Sequence, residues 1–437
     1  MSGRLVLASK GTQDLWISEE PTYTHFLFAM KKHTKFAFDT QEFPLLEAKF
    51  DQETICYIPM DVGDLLTRIT LRYTIDHTTS SSEYIFTNFA GVHAIDYVDL
   101  FMGGVKIQRL TGDWIYLYNK ITNDRSTFDN TLDNLMNING TNPMYIDIPF
   151  YFHDNLKTSI LCCKLQKHNC YLKIKFKKWE DIVHTRFQNT VSNISITKAS
   201  VLARYCYLDH GELQYLKSNP IDQVITQLQL RRFDISRGET KKVRLNFKNP
   251  VKTLYFYVYN KTRTLRFYTS QLYDIDPPIP DGWPYDTTGE YYMMNMRFSR
   301  AKLLFNNRAV FNEDYTTSVH KNSIDNSISG HKTFIPSASF DTLYSQANRK
   351  VEKPEIGSYS FAMYPLKDEP SGHVNFSRII HQEFELEIPS SELYTYAAFD
   401  TGATFTNDFV GNDNECKIYA VSYNVLTYNS GLCGLRF

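Results

Sequence analysis

The side chains that could bind a metal ion or attack a substrate are few and poorly spaced. Cys162, Cys163, His168 and Cys170 form the densest group of soft ligands, and thiolate and imidazole are the groups that zinc prefers. Adjacent cysteines in an extended segment point to opposite faces, which hampers a tetrahedral site. We therefore expect the three cysteines to be buried thiols, and the sequence predicts no metal site here.

The acidic pair Asp274 and Asp276 is the second candidate, because two carboxylates can hold a divalent cation. Both lie among prolines, which favours a solvated turn. None of the 12 histidines forms the His-x-His pair that a metal-binding cupin needs. The chain also lacks the nucleotide, hydrolase, metalloprotease and redox motifs GxxxxGKS/T, GxSxG, HExxH, CxxC and helix-opening GxGxxG. The sequence predicts a protein that is not an enzyme and has no cofactor.

Basic residues follow one another at Lys173, Lys175, Lys177 and Lys178, alternating in part with apolar ones. This pattern is typical of a strand with one basic face. The whole chain has 47 Lys and Arg against 48 Asp and Glu, so its net charge of −1 does not suit the neutralisation of phosphates. We expect a solvated face or a subunit contact, with no direct binding of nucleic acid.

Four Asn-x-Ser/Thr sequons occur, at Asn139, Asn193, Asn260 and Asn375. No signal peptide is visible at the start of the sequence, so each sequon is expected to be a chance match. The seven cysteines are odd in number and irregular in spacing, which favours free thiols in a reducing compartment. No apolar run approaches 18 residues, so no transmembrane helix is expected.

The elements that would carry these residues are mainly strands. Apolar and polar residues alternate from Ile69 to Ile75, and Gly103-Gly104 separates two further alternating runs as a tight hairpin turn would. Trp114, Leu117, Tyr118 and Ile121 have helical spacing instead, which predicts a short helix laid on a sheet. With 437 residues and 15% aromatics, the chain suits two β-rich domains.

The boundary between the two halves is predicted at a short helix. Asp209 and Glu212 fit a capping box, and Asn219-Pro220 ends the segment. We therefore divide the chain into an N-terminal arm (1–23), a first domain (24–208), a linker helix (209–219) and a second domain (220–437).

The most specific stretch runs from Gly357 to Ile380, GSYSFAMYPLKDEPSGHVNFSRII, and is expected to form strand, turn and strand, the second strand from His373 to Ile380. It resembles the second-domain signature of the major capsid proteins of nucleocytoplasmic large DNA viruses, in particular phycodnavirus-like ones. Three other segments are similar to the same family: the opening from Pro21 to Ala37, Asp113-Trp114 after the Gly-Gly hairpin, and the tail from Tyr423 to Leu435.

The resemblance implies an all-β fold of two consecutive eight-stranded antiparallel jelly rolls, with short helices in loops. It also implies a virion protein, assembled in the host cytoplasm, whose homotrimers form pseudo-hexagonal capsomers of an icosahedral shell. Expected partners are neighbouring capsomers and minor capsid proteins, and an internal viral membrane would be reached only through other proteins. We expect contacts between copies at the N-terminal arm, at residues 111–142 and around Trp283.

Two alternatives remain open. Within the same fold, the chain could be a minor capsid paralogue or an assembly scaffold. In another class, it could be a carbohydrate-binding β-sandwich module that stacks sugars on Trp283 and Tyr285.

Overall fold

The computed structural model describes most of the chain in segments. They are residues 32–76, 84–86, 89–122, 142–153, 155–185, 194–260, 298–314, 334–335, 356–390, 393–397, 404–408 and 414–437, with residues 4, 8, 11, 12, 19–21, 24 and 26 before them. Residues 1–36 and residues 37–437 form two separate units. The expected boundaries at residues 23, 208 and 219 remain predictions.

Strands dominate the described residues. In the first half they are β1 Phe36–Pro44, β2 Glu53–Ile58, β3 Leu65–Asp76, β4 Tyr84–Phe86, β5 Ile95–Met102, β6 Val105–Thr111, β7 Met144–Asp147, β8 Cys170–Phe176, β9 Val183–Thr185 and β10 Ser195–Leu208. In the second half they are β11 Ile221–Ile235, β12 Thr240–Arg244, β13 Pro250–Asn260, β14 Arg300–Phe305, β15 Arg308–Asp314, β16 Phe334–Ile335, β17 Ile356–Ser360, β18 Val374–Asn375, β19 Gln382–Glu387, β20 Leu393–Ala397, β21 Thr404–Asp408, β22 Asn414–Asn429 and β23 Leu432–Leu435.

Helices are short and lie between strands. They are α1 Ala90–His93, α2 Gly112–Thr122 and α3 His210–Ser218, with 3-10 turns at Leu156–Thr158, Cys162–Lys164, Trp179–Asp181 and Phe376–Arg378.

The first half forms a barrel of two four-stranded sheets. One sheet has the order β1-β10-β3-β7 and the other β2-β8-β5-β6. With the eight strands lettered B to I along the chain, these orders are B-I-D-G and C-H-E-F, the arrangement of a jelly roll. We call the two sheets BIDG1 and CHEF1.

The second half repeats this order. The sheet β11-β22-β13-β17 is BIDG2, extended by β16, β18 and β23, and the sheet β12-β19-β14-β15 is CHEF2. Two consecutive eight-stranded jelly rolls are therefore present, which confirms the predicted fold class. Two-stranded sheets, β4-β9 and β20-β21, lie outside the barrels' main sheets.

Alternation of side chains builds each barrel core. In β8 the residues alternate between buried and half-buried, with Leu172, Ile174 and Phe176 turned inward, as the sequence predicts. The second core is centred on the buried ring of Phe256, which packs edge-on against Phe384 at 4.9 Å between ring centroids. Gly357 in β17 lies against Phe256 so closely that a Cβ atom would be 2.2 Å from the ring.

Local predictions were confirmed at the first hairpin and partly wrong elsewhere. Gly103 and Gly104 have φ angles of 57° and 80°, as a primed two-residue turn requires. Helix α3 begins after Asp209, yet the Asp209 side chain makes no capping hydrogen bond, so the predicted capping box does not form.

The predicted strand from His373 to Ile380 was also wrong. Only Val374–Asn375 is extended, and a 3-10 turn follows because the Asn375 side chain accepts a hydrogen bond from the Ser377 amide at 3.0 Å. The turn sends Phe376 into the second core, where it is fully buried.

Candidate assembly site

The two barrels meet where α2 of the first barrel covers the outer face of BIDG2. Gly112 begins this helix so close to the preceding chain that a Cβ atom would lie 2.3 Å from the Ile95 carbonyl oxygen. That approach brings Trp114 onto two tyrosines of BIDG2, with ring centroids 5.7 Å from Tyr255 and 5.2 Å from Tyr419. All three rings are buried, so this contact excludes water from the junction.

Hydrogen bonds from edge strand β6 and from the loop before β8 complete the junction. The hydroxyls of Thr111 and Tyr419 lie 3.0 Å apart, and the Gln227 side-chain amide donates to the Ile107 carbonyl at 2.6 Å. Gln223 donates to the Ser159 carbonyl at 2.9 Å. Burial of paired polar groups costs little, whereas an unpaired one is expensive, so these bonds fix the orientation of the barrels.

A buried ionic group lies beside this contact. Asp113 of α2 accepts hydrogen bonds from Lys417 of β22 at 2.5 Å and from Lys177 at 3.4 Å, and it is 5% exposed. The Nδ1 atom of buried His93 is 4.0 Å from the same carboxylate. Lys417 belongs to the second barrel and the other three residues to the first, so a single carboxylate links the two.

Burial and charge compete at this group. Burial by itself raises the pKa of Asp113, but the positive charges of Lys177 and Lys417 outweigh it and hold that pKa well below its usual value. Burial lowers the pKa of Lys417, against the attraction of Asp113. Burial and the charge of Lys177 lower the pKa of His93 well below its usual value, so the imidazole is neutral at pH 7. The arrangement stabilises a fixed ion pair.

The C-terminal hairpin makes a second link between the barrels. Ser430 and Gly431 turn the chain with φ angles of 51° and 84°, and β23 then pairs with β22. The Lys167 amide donates to the Gly431 carbonyl at 3.1 Å, and the Cys433 amide donates to His168 Nδ1 at 3.2 Å. The tail is thus held against the first barrel.

The cysteines predicted to be buried thiols are free. Cys162 lies in a 3-10 turn and Cys170 in β8, and burial raises the pKa of both thiols. Burial likewise raises the pKa of Cys433 to about 11. Protonated thiols bind metal ions poorly. Within the part of the chain that the structure describes, no group of three or more His, Cys, Asp or Glu is arranged to hold a metal ion.

The outer faces of the two CHEF sheets differ in chemistry. On CHEF1, Tyr171 stacks on Phe101 at 4.9 Å between centroids and contacts Tyr57 at 5.7 Å, and Tyr57 is 64% exposed. The ammonium group of Lys173 lies 5.3 Å from the Phe101 ring. This face combines aromatic rings with positive charge.

On CHEF2 the outward residues are charged instead. Glu385 of β19 lies opposite both Lys242 of β12 and Lys302 of β14, and Lys242 also pairs with Glu383 at 2.6 Å. Cross-strand pairs of this kind stabilise a sheet modestly and keep its face hydrated.

The basic strand of the sequence has two different roles. Lys173 and Lys175 do lie on the outer face of CHEF1, where Lys175 pairs with Asp96 at 3.7 Å. Lys177 instead turns towards Asp113 in the junction.

The three regions predicted to contact other copies lie largely outside the described residues. The described residues leave out most of residues 1–23, residues 123–141 and residues 273–288. The last of these ranges contains Trp283 and Tyr285, and also the acidic pair Asp274 and Asp276. The described part of 111–142 is mainly α2, most of which is buried within the chain, and a contact of this region with other copies stays a prediction.

The sequons are scattered. Asn139 and Asn193 lie outside the described residues, and Asn260 is the last residue of β13. Asn375 is exposed, but its side chain caps the 3-10 turn that begins at the buried Phe376. Whether any of the four carries a glycan stays a prediction.

Sequence reasoning missed the junction. Asp113 and Lys417 are 304 positions apart, and no local pattern connects them. The one available signal is that each charged residue directly precedes apolar ones, Asp113 before Trp114 and Lys417 before Ile418, and a charge beside a buried segment is usually paired.

Comparison with known proteins agrees with this architecture. Residues 24–209 match the family model described as the major capsid protein N-terminus. The major capsid protein of Pyramimonas orientalis virus is 26% identical over 468 residues, covering 100% of this chain and 99% of that protein. The chain is a relative of the major capsid proteins of large DNA viruses. That of Paramecium bursaria Chlorella virus 1 is 23% identical and is covered over 98% of its length, with 99% of this chain aligned.

Solved structures of this group have the same fold. A quasi-atomic model of the PBCV-1 virus capsid superposes with a TM-score of 0.72 at 20% identity, covering 95% of this chain and 100% of that one. The Faustovirus major capsid protein gives a TM-score of 0.62 at 10% identity, covering 96% and 94%. Among the described residues, no helix is both long and apolar enough to span a membrane.

Proposed function

We propose that this protein is the major structural unit of the icosahedral shell of a large DNA virus and acts as a homotrimer with a pseudo-hexagonal outline. One observation carries the proposal: two barrels with the same strand order are locked side by side in a chain related over its whole length to major capsid proteins. Three such chains around a threefold axis would present six similar barrels.

The physical role of the subunit is stiffness and burial. Both barrels have their own cores, and the junction between them is closed by buried aromatic rings and by the Asp113 ion pair. A pair of barrels locked in this way acts as a rigid tile, and the subunit has no reaction to perform. Interfaces between copies in a permanent trimer are expected to bury about 2,000–5,000 Å².

Partners follow from this role. Within a virion the trimers contact neighbouring trimers and minor capsid proteins, and any internal membrane is reached through other proteins. The near-neutral net charge of −1 supports the absence of direct contact with the genome. Assembly takes place in the host cytoplasm.

Native mass spectrometry of the purified full chain at micromolar concentration tests the proposal. We expect a species of three times the chain mass of 51.0 kDa, with a three-cornered or hexagonal outline in negative-stain images. A protein that remains monomeric throughout this range contradicts it. Copy number in purified particles separates the major capsid protein from a minor paralogue or a scaffold of the same fold.

A further inference from the structure

The ion pair at the junction holds an amine and a carboxyl group in contact inside the protein. Lys417 Nζ lies 2.5 Å from Asp113 Oδ2, and the two side chains are 8% and 5% exposed. The rings of Trp114 and Tyr419, which contact each other in the same junction, are buried as well. The two groups that make up an amide bond are thus kept together where little water reaches them.

Two further side chains face the other oxygen of the same carboxylate. Lys177 Nζ lies 3.4 Å from Asp113 Oδ1, and His93 Nδ1 lies 4.0 Å from that oxygen. The ammonium group of Lys177 is placed to stabilise negative charge that develops on Oδ1. The imidazole of His93 is fully buried, and because its pKa is lowered well below the usual value, it is neutral at pH 7 and can accept a proton.

We propose that Lys417 and Asp113 condense to an isopeptide bond that joins the two barrels covalently. The cross-link connects positions that are 304 apart in the sequence, so it holds the second barrel to the first even when the surrounding contacts open. It forms within one chain and needs no second copy, so it is independent of the proposed trimer.

The reaction is a loss of water that needs no oxidant, reductant or co-reactant. The ammonium group of Lys417 first gives a proton to Asp113 Oδ2, which leaves a neutral amine beside a neutral carboxylic acid. The Nζ lone pair then forms a bond to Asp113 Cγ, and the electrons of the carbonyl bond move to Oδ1, next to Lys177. His93 takes one proton from Nζ and returns it to Oδ2, the Cγ–Oδ2 bond breaks with its electron pair on oxygen, and water leaves.

Burial favours the product, whereas the stability of the ion pair makes its formation slow. An amide is neutral, so the reaction removes the cost of keeping an ammonium group and a carboxylate in the interior. The contact between the two groups also replaces a bimolecular encounter. The pKa of Asp113 is held well below its usual value by the charges of Lys177 and Lys417, so the reactive neutral pair is the minor form. Freshly folded protein therefore contains the ion pair, and the amide accumulates afterwards.

Denaturing intact-mass spectrometry of the full-length protein, incubated at physiological temperature for one week, tests the bond. Most wild-type molecules should become lighter than the sequence mass by one water molecule. Trypsin should then release Leu110–Lys120 joined through Asp113 to a peptide that remains uncleaved at Lys417. Lys417→Arg keeps the positive charge but removes the amine, and Asp113→Ala removes the carbonyl carbon that is attacked, so both variants should keep their full mass.

An exposed ion pair of similar length is the matched control. Lys242 Nζ lies 2.6 Å from Glu383 Oε2, but the two side chains are 45% and 26% exposed, so no cross-link between them should appear in the same digests. His93→Gln tests the proton transfer and should slow the mass loss at least about tenfold. Circular dichroism checks that each variant is folded.

The mass of the wild type decides the proposal even where a variant does not fold. A wild type that keeps its full mass throughout the incubation overturns the bond. A loss of water that persists in Lys417→Arg, or a cross-link that maps to other residues, also overturns it, because the dehydration then lies elsewhere. An unchanged rate in folded His93→Gln contradicts the proton transfer by this residue.

Discussion

The outer faces of BIDG2 and BIDG1 occupy the same position in their barrels but have opposite surroundings. BIDG2 is covered by its own chain and presents Tyr255, Tyr419 and Lys417 to the junction. BIDG1 presents arginines and the half-exposed Phe38 to solvent. The comparison shows that equivalent sheets of the two barrels can differ in role. One sheet forms a contact inside the chain and the other remains open to solvent, because only one of them is covered by another segment of the chain.

The largest effect is expected at the aromatic contact that covers BIDG2. Trp114→Ala leaves a cavity against Tyr255 and Tyr419, and should lower the free energy of unfolding by about 3–5 kcal/mol. Urea unfolding followed by fluorescence measures it. Tyr57→Ala on the open face of CHEF1 is the control and should cost far less. Equal losses of unfolding free energy in the two variants would show that the aromatic contact on BIDG2 stabilises the protein no more than an exposed side chain does.

A smaller loss is expected when the buried charge is removed. Asp113→Asn leaves Lys417 and Lys177 without their carboxylate and should destabilise the protein by about 3 kcal/mol at pH 7. Asp96→Asn, which breaks a half-buried pair with Lys175 on the outer face of CHEF1, should cost under about 1 kcal/mol.

The same variant has a signed dependence on pH. Because the folded protein lowers the pKa of Asp113, its ionised form stabilises the fold above about pH 4, and that contribution is lost as the pH falls further. The difference between wild type and Asp113→Asn should therefore shrink in acid. A difference that stays constant from pH 7 to pH 3 would contradict the ionised pair.

A more moderate effect is expected from His93, which faces Asp113, Lys177 and Lys417 and packs against Tyr116. Its pKa is lowered in the folded state, so the unfolded chain takes up the proton first, below about pH 6.5. Stability should fall from there towards pH 5 by up to about 1.4 kcal/mol per pH unit.

The His93→Gln variant should flatten this slope in unfolding midpoints measured across the pH range. His210→Gln on exposed helix α3 is the matched control and should leave the slope unchanged. An unaltered slope in His93→Gln would assign the acid sensitivity to other groups.

The smallest effect is expected on the open face of BIDG1. Phe38→Ala removes the contact with Arg204 and should change the monomer's free energy of unfolding by only about 0.5–1 kcal/mol. Thermal unfolding at a concentration where sedimentation velocity shows only monomer isolates this value. A loss as large as that of Trp114→Ala would mean that BIDG1 is already a covered face within one chain.

Local chemistry carried much of the prediction. Gly103-Gly104 predicted a primed turn because two consecutive positive φ angles favour glycine. The alternation of apolar and polar residues in β8 predicted that one face of the strand is buried. The helix at Trp114 was visible from its spacing, since Gly112–Thr122 is helical. The 3-10 turn at Phe376 was not visible, because its formation depends on the Asn375 side chain and on the core that receives the ring.

The sequence by itself determined that the chain is β-rich, how its strands alternate and which family it resembles, because these properties depend on neighbours along the chain. Only the tertiary structure decided which outer face is covered, and that Asp113 forms an ion pair with Lys417, 304 positions away. The physical reason is that alternation specifies inside and outside for each strand, whereas the partner of an outward face is chosen by contacts between distant segments.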